Sequence, residues 1–265
     1  MKYINLKNFK ITYKYFFAIL SCISIYTYYF YKLFSGHGLD TYNNNYEIYT
    51  LDYFSTFTLI SNILCQIWLL WAAITPKKEG NSKFTSRKKF VFLSHTTALT
   101  FSVMITITFI VYNFILVPID TGFPTHSYDA FATIVNHIIT PIAFVVYFLF
   151  LMDNKREIDL NRFFTRKFWI QFTILISYCI ISLIKGELRY RSDSQLYNTP
   201  SGKNTWYPYF FLNLHNANGP LGIPGYGWFI IAFILIIGVM IGFTYLYNFI
   251  NNCIIKTKYY KKYIG

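Results

Sequence analysis

Long uncharged hydrophobic runs alternate with short polar segments along the whole chain. An α-helix needs about 17–25 apolar residues to cross the hydrocarbon core of a bilayer. The runs lack the two-residue alternation of membrane β-strands, and backbone groups in lipid must be paired internally, so helices are favoured. Six intervals contain no Asp, Glu, Lys or Arg: 15–31, 53–76, 90–119, 130–152, 168–184 and 204–255.

These intervals predict an all-α integral membrane bundle of six transmembrane helices in one domain over residues 1–265. The first and fifth intervals are short, so a four-span chain is the alternative. The first interval has no small-residue cleavage motif, and we expect a retained helix rather than a signal peptide. The helices are expected at about 15–33, 53–75, 90–117, 130–152, 168–184 and 227–250.

The composition supports a membrane environment. Only 13% of the 265 residues are charged, compared with about 25% in soluble proteins. A soluble domain of this size cannot cover its surface with so few charges. The aromatic content of 22% excludes intrinsic disorder.

The basic residues are distributed unequally between the two predicted sides. Of the 24 Lys and Arg residues, 19 lie in the two terminal tails and in the loops after predicted spans two and four. The positive-inside rule then places both termini in the cytoplasm and the protein in the cell membrane. The basic residues that give the chain its formal charge of +13 are therefore expected to contact anionic membrane lipids. We expect no nucleic-acid partner.

Histidines and cysteines are candidate metal ligands in this sequence. His37, His126 and His215 are expected on the outer side together with His137. Zinc needs three or four converging ligands, and no two of these histidines have the spacing of ligands on one helix. The four cysteines form no CxxC pair. We therefore expect neither a metal nor a cofactor.

A group of polar side chains recurs at one depth in the outer halves of three predicted spans. Apart from Lys32 at the end of the first, no Asp, Glu, Lys or Arg lies inside a predicted span, which argues against an ion-coupled transporter. If the three spans are neighbours, the polar side chains converge. The group consists of Thr58, Ser61, Asn62, Asn113, Asn136 and His137.

His137 has two interpretations. A membrane histidine can simply hydrogen-bond across helices. Alternatively, a neutral imidazole at this depth acts as general base toward the hydroxyl of Thr58, although a membrane threonine commonly bonds its own helix. In the catalytic interpretation Asn62 and Asn113 are candidate donors to an oxyanion, with Ser61 and Asn136 as polar support.

An aromatic segment, WYPYFFLNLH, precedes the sixth predicted span at residues 206–215. One interpretation is an aromatic belt at the membrane interface. The other is a lid or re-entrant turn over the outer polar group. The lid residues would be Trp206, Tyr207, Tyr209 and His215.

Two glycines in the sixth predicted span, Gly238 and Gly242, form a small-xxx-small stripe. Such a stripe allows close approach of another helix. We expect it to serve packing within the chain rather than dimerisation, and the oligomeric state stays open.

Four sequence motifs occur in a fixed order: FTLISNIL at 57–64, IVYNFIL at 110–116, VNHIITPIAF at 135–144 and WYPYFFLN at 206–213. Together, over about residues 53–230, they resemble the bacterial branch of the androgen-induced, androgen-dependent membrane protein family. Vertebrate members of that family are multi-span hydrolases of fatty-acid esters of hydroxy fatty acids. The resemblance implies that their nucleophilic threonine corresponds to Thr58 and their histidine to His137. Pro141 lies one residue earlier than the family pattern, and Tyr147 replaces an acidic residue.

The expected function is lipid-ester hydrolysis at the outer leaflet, with Thr58 as nucleophile and His137 as base. GxSxG, HExxH, Walker A and Rossmann glycine patterns are absent from the sequence. A non-catalytic protein that binds a lipid or small molecule in the same outer cavity is the first alternative. A transporter or channel is the second.

Overall fold

Every regular element in the described part of the chain is helical. The computed structural model describes residues 6–80, 92–192 and 205–263, and no β-strand occurs within them. Six helices are long and apolar enough to cross a membrane, which confirms the six-span, all-α prediction. Besides short 3₁₀ turns, the helices are α1 (Leu6–Ser35), α2 (Tyr46–Ser55), α3 (Phe57–Ile74), α4 (His95–Thr121), α5 (Ser127–Leu151), α6 (Leu160–Arg166), α7 (Phe168–Arg191), α8 (Gly225–Lys256) and α9 (Lys258–Tyr263).

The bundle has two ends with different loops. Residues 36–56, 122–126 and 205–224 form what we call the Asp52 end, and residues 75–80 and 152–167, the start of α1 and helix α9 form the Glu79 end. Four of the predicted basic loop residues, Lys83, Arg87, Lys88 and Lys89, lie outside the described residues, as do Lys2 and Lys203.

Polar side chains cap several helix starts and relieve their unpaired N–H groups. Thr56 accepts a hydrogen bond from the N–H of Leu59 at the start of α3. α1 ends at Gly36, whose φ of 70° is left-handed and suits glycine. Further caps are Asn45 on α2, Ser94 on α4 and Asp159 on α6.

At the Glu79 end, α1 begins before the predicted residue 15 because Lys14 is paired inside the protein. Its ammonium group donates to Glu79 Oε2 at 2.8 Å and to the Ala72 carbonyl at 2.9 Å. Tyr147 donates to the other Glu79 oxygen at 2.5 Å. Burial raises the pKa of the Glu79 carboxyl, and Lys14 opposes part of that rise.

At the Asp52 end, α7 continues past the predicted residue 184 because its charged residues are also paired. Lys185 donates to Asp52 Oδ1 at 2.8 Å and to Ser55 Oγ at 2.7 Å. Arg189 donates to the same Asp52 oxygen at 2.5 Å and to the Thr205 carbonyl at 2.8 Å. This network ties α2 and the segment before α8 to the last turns of α7.

α4 is the central helix, and α7 and α8 are peripheral. α4 packs against α3, α5 and α8. In the most hydrophobic stretch of α7, and likewise of α8, only 17% of the residues are buried, whereas 56% are buried in α3. Both α7 and α8 therefore present apolar surface outward. Open space surrounds the Cβ positions of Gly238 and Gly242. No described residue therefore packs on the stripe that was expected to serve packing within the chain.

Candidate functional site

An apolar cavity lies between α3, α4, α7 and α8, next to residues 209–212. It holds about 700 Å³ of empty space, counting the open space at its mouth. Phe233 lines the cavity and is 37% exposed, so part of the wall reaches the outer surface of the bundle. The hydroxyl-bearing residues in the lining are Thr58, Thr108, Tyr112, Tyr178 and Tyr209.

Thr58 lies at the cavity wall, in the first turn of α3. The Phe57 N–H donates to the Tyr209 hydroxyl oxygen at 3.0 Å. The same hydroxyl is within hydrogen-bonding reach of the Thr58 side chain and backbone N–H. The helix dipole makes this terminus favourable for developing negative charge. Thr58 is therefore a hydroxyl placed at the electropositive end of a membrane helix.

Two tyrosines complete the polar end of the cavity. Tyr178 of α7 donates to the Ser55 carbonyl at 3.1 Å, and its hydroxyl is within reach of the Tyr209 hydroxyl. Burial raises the pKa of Tyr209, so its hydroxyl keeps its proton and can act as a donor. Hydroxyls from α3, α7 and the segment before α8 thus meet at one point.

The predicted lid segment is fixed to α7. The Tyr207 ring packs on Gly186, where an added Cβ would lie 2.0 Å from the ring. His215 stacks on Tyr190 with centroids 3.6 Å apart and bonds Glu187 at 2.6 Å.

Trp206 packs edge-on against Tyr190, with ring centroids 5.0 Å apart. Tyr209 instead reaches the cavity, and Phe211 and Leu212 line it. The segment therefore covers one side of the cavity. The residues just before it, 193–204, lie outside the described part.

His137 lies beside the cavity wall but is not bonded to Thr58. Its ring stacks on Tyr112, with centroids 3.4 Å apart and planes 15° from parallel. Its Nδ1 is 3.1 Å from the Thr133 carbonyl oxygen. A proton on Nδ1 satisfies that contact and leaves Nε2 as a free base. Within the described residues no hydrogen bond joins His137 to Thr58.

Pro141 interrupts the backbone bonding of α5 one turn after His137. Proline has no N–H, so a carbonyl one turn earlier loses its helical partner, and Val135–Ile139 is wound as a π-helical turn. The carbonyls of Asn136 and His137 accept hydrogen bonds from other helices instead. Membrane helices that contain proline are commonly repaired in this way.

Asn62 of α3 and Asn113 of α4 supply these bonds. Asn62 Nδ2 donates to the Asn136 carbonyl at 3.0 Å and the Thr58 carbonyl at 2.8 Å. Asn113 Nδ2 donates to the His137 carbonyl at 3.1 Å and to a carbonyl of its own helix at 2.8 Å. Both N–H groups of each amide are thus used. Neither amide has a donor left for the oxyanion role predicted from the sequence.

The polar groups of α3, α4 and α5 do converge. Ser61 shares a hydrogen bond with Thr108 at 2.8 Å and donates to the Thr58 carbonyl at 3.0 Å. With the bridges made by Asn62 and Asn113, this contact makes predicted spans two, three and four neighbours, the condition on which convergence depended.

Sequence reasoning missed Tyr112, Tyr178 and Thr108 as parts of the site. Tyr112 carries a usable signal, since it precedes Asn113 inside one of the four motifs. Tyr178 and Thr108 carry none, because a single hydroxyl in a hydrophobic run does not reveal the direction it faces. No protein-family model, curated protein or solved structure matches the chain, so the family resemblance of its motifs remains a hypothesis.

Proposed function

We propose that this protein binds a lipid ester within the membrane, with an acyl chain in the cavity and the ester group beside Thr58. The observation that carries the proposal is the cavity itself: an apolar wall ends in a cluster of hydroxyls from Thr58, Tyr178 and Tyr209. Hydrocarbon fits such a wall, and an ester carbonyl accepts hydrogen bonds from such hydroxyls. The partly exposed Phe233 marks a side on which lipid can enter.

We further propose the orientation in which both termini are cytoplasmic. This rests on the distribution of Lys and Arg in the sequence. In that orientation Thr58 lies in the outer half of the cell membrane, and the ligand comes from the outer leaflet.

Filling the cavity tests the binding proposal. Ala232 lines the cavity and is 5% exposed, whereas Ile230 on the same helix is 55% exposed. Native mass spectrometry of Ala232→Trp is expected to show loss of the lipid that co-purifies with the wild-type protein. Ile230→Trp is the matched control and is expected to retain it. Equal lipid occupancy in a folded Ala232→Trp variant contradicts the proposal.

Hydrolysis of the bound ester is the second candidate function, and the state of His137 favours it. With Nδ1 directed to Thr133, Nε2 is available as a base. His137 would take the proton of the Thr58 hydroxyl as its oxygen attacks the ester carbon. The alcohol leaves with that proton, and water then releases the acid from acyl-threonine. The resemblance of the four motifs to a hydrolase family supports the same assignment.

The oxyanion in this scheme is stabilised by other groups than those predicted. Tyr209 and Tyr178 supply O–H donors, and the first turn of α3 supplies its positive dipole end. His137 and Thr58 are not hydrogen-bonded among the described residues. The Tyr112 ring, on which the imidazole stacks, must therefore shift so that His137 Nε2 can approach the Thr58 hydroxyl. In enzymes without bound substrate, catalytic hydrogen bonds are often long and shorten only when substrate binds.

Thr58 and His137 variants separate hydrolysis from binding. Thr58→Ala and His137→Gln are expected to abolish turnover of a lipid ester and labelling by a fluorophosphonate probe, while lipid still co-purifies. Thr58→Ser retains the hydroxyl and is expected to retain labelling. Wild-type protein that binds lipid but neither turns over an ester nor reacts with the probe is a binding protein without catalysis.

A further inference from the structure

Two imidazoles and a carboxylate converge at the Asp52 end, away from the cavity. Their ligand atoms, one each from His37, His126 and Asp129, all lie within 4.8 Å of one another. His37 Nε2 is 3.2 Å from Asp129 Oδ2. The rings of His37 and His126 are 4.3 Å apart between centroids.

The local fold holds this cluster in place. His37 follows the left-handed Gly36 that ends α1, and His126 precedes the first residue of α5. Asp129, in the first turn of α5, is three residues beyond His126, so both face the same side. The Tyr31 ring of α1 stacks on His126 with centroids 6.1 Å apart.

We propose that His37, His126 and Asp129 bind a divalent zinc ion, with water as the remaining ligand. Two imidazole nitrogens and one carboxylate oxygen are a donor set that zinc uses in open, four-coordinate sites. Asp129 is also in contact with Tyr28 and Lys32, and such neighbours orient a ligating carboxylate. Spacing along the sequence did not indicate the site, because His37 follows the end of one helix and His126 precedes the start of another.

An ion pair between His37 and Asp129 explains only part of the arrangement. One carboxylate faces two imidazoles, and Lys32 Nζ is 3.9 Å from its other oxygen. If both imidazoles were protonated, three cations would share one anion. Neutral imidazoles around a metal ion remove that repulsion and use both nitrogen lone pairs.

The bound ion would join two membrane helices. It connects the end of α1 to the start of α5, and His137 lies about 12 Å beyond Asp129 along α5 at 1.5 Å per residue. Zinc therefore stabilises the outer part of the helix that carries His137, independently of what the cavity binds.

His126→Gln is the decisive variant. His126 is exposed, and its replacement leaves the contact between His37 and Asp129 in place. The protein, without a polyhistidine tag, is stripped with chelator, dialysed against Zn²⁺ and analysed for metal content. We expect one zinc per chain in the wild type, and an affinity lower by more than about 100-fold in His126→Gln and His37→Gln.

His215→Gln is the matched control, because His215 is paired with Glu187 at the same end. It is expected to bind zinc like the wild type. Zinc is also expected to raise the thermal unfolding midpoint of the wild type and of His215→Gln, but not of His126→Gln. Wild-type protein that takes up no zinc, or His126→Gln that binds zinc with wild-type affinity, overturns the proposal.

Lys32→Met distinguishes a metal site from an ion-pair cluster. Removing the cation next to Asp129 is expected to tighten zinc binding, since like charges repel. Unchanged or weaker zinc binding in a folded Lys32→Met variant contradicts direct coordination by Asp129.

Discussion

The imidazole of His137 stacks on the phenol ring of Tyr112, with centroids 3.4 Å apart, and Tyr112 lines the apolar cavity. The histidine is thus placed at the cavity wall by an aromatic neighbour and by the Thr133 carbonyl. Thr58 reaches the same cavity from α3. Thr58 lines the cavity, whereas His137 lies behind Tyr112, and among the described residues no hydrogen bond joins the two; for this reason hydrolysis is proposed second to binding.

Replacing Tyr209 by Phe is expected to lower the free energy of unfolding by about 1–3 kcal/mol, because the Phe57 N–H loses its buried acceptor. Thermal or denaturant unfolding in detergent measures the change. Tyr226→Phe is the control, since Tyr226 is 63% exposed at the same end. Equal stability of both variants argues against the Tyr209 contact.

The bridge between Asn62 and Asn136 is expected to depend on Pro141. Asn62→Ala leaves the Asn136 carbonyl without its donor and should lower the unfolding free energy by about 1–3 kcal/mol. Pro141→Ala restores an N–H within α5 and should reduce that loss. A double-mutant cycle measures the coupling, expected in the range of about 0.5–3 kcal/mol. Strictly additive effects contradict the repair of α5 by Asn62.

Breaking the buried pair of Lys14 and Glu79 is expected to be strongly destabilising. Glu79→Gln leaves the Lys14 ammonium group, which is 1% exposed, without its counter-charge, and the loss should be about 3–5 kcal/mol. The double variant Lys14→Met, Glu79→Leu removes both charges and should recover most of the loss. If the double variant is as unstable as Glu79→Gln, packing rather than charge is responsible.

Lys155 is expected to make stability depend on pH. Desolvation by burial, with a smaller effect of Lys10, lowers the pKa of Lys155 to about 7. Between that pH and the ordinary lysine pKa the unfolded chain binds more protons, so stability rises with pH.

Lys155→Met should therefore raise the unfolding midpoint most below pH 7, and the gain should shrink at higher pH. Lys258→Met, at an exposed lysine of the same end, is the control. A gain that is constant with pH indicates a packing effect instead.

The sequence was sufficient to predict the six spans, because the length of an uncharged run can be read directly from the sequence and compared with the thickness of a bilayer. The shared depth of Asn62, Asn113 and His137 predicted convergence only on the condition that α3, α4 and α5 are neighbours, and the structure meets that condition. Helix ends were predicted less well. Lys14 is separated by 65 residues from its partner Glu79, and a contact at that separation has no signature in local hydropathy.

The roles of Asn62 and Asn113 could have been predicted in part. Pro141 follows His137 by one helical turn, and its missing N–H predicts carbonyls that need a donor from elsewhere. The sequence does not say which helix supplies it. The apolar wall of the cavity was not predictable at all, since α7 and α8 are hydrophobic on every side and only packing selects the face that lines a cavity.

Photocrosslinking with a lipid ester that carries a photoreactive group on its acyl chain tests the central claim most directly. The wild-type protein in bilayers is expected to be labelled at cavity residues such as Leu212, Leu175 and Phe229. Labelling there should disappear in Ala232→Trp. Crosslinks confined to outward-facing residues of α8, such as Ile230 and Ile234, which are 55% and 67% exposed, would contradict binding of a lipid acyl chain in the cavity.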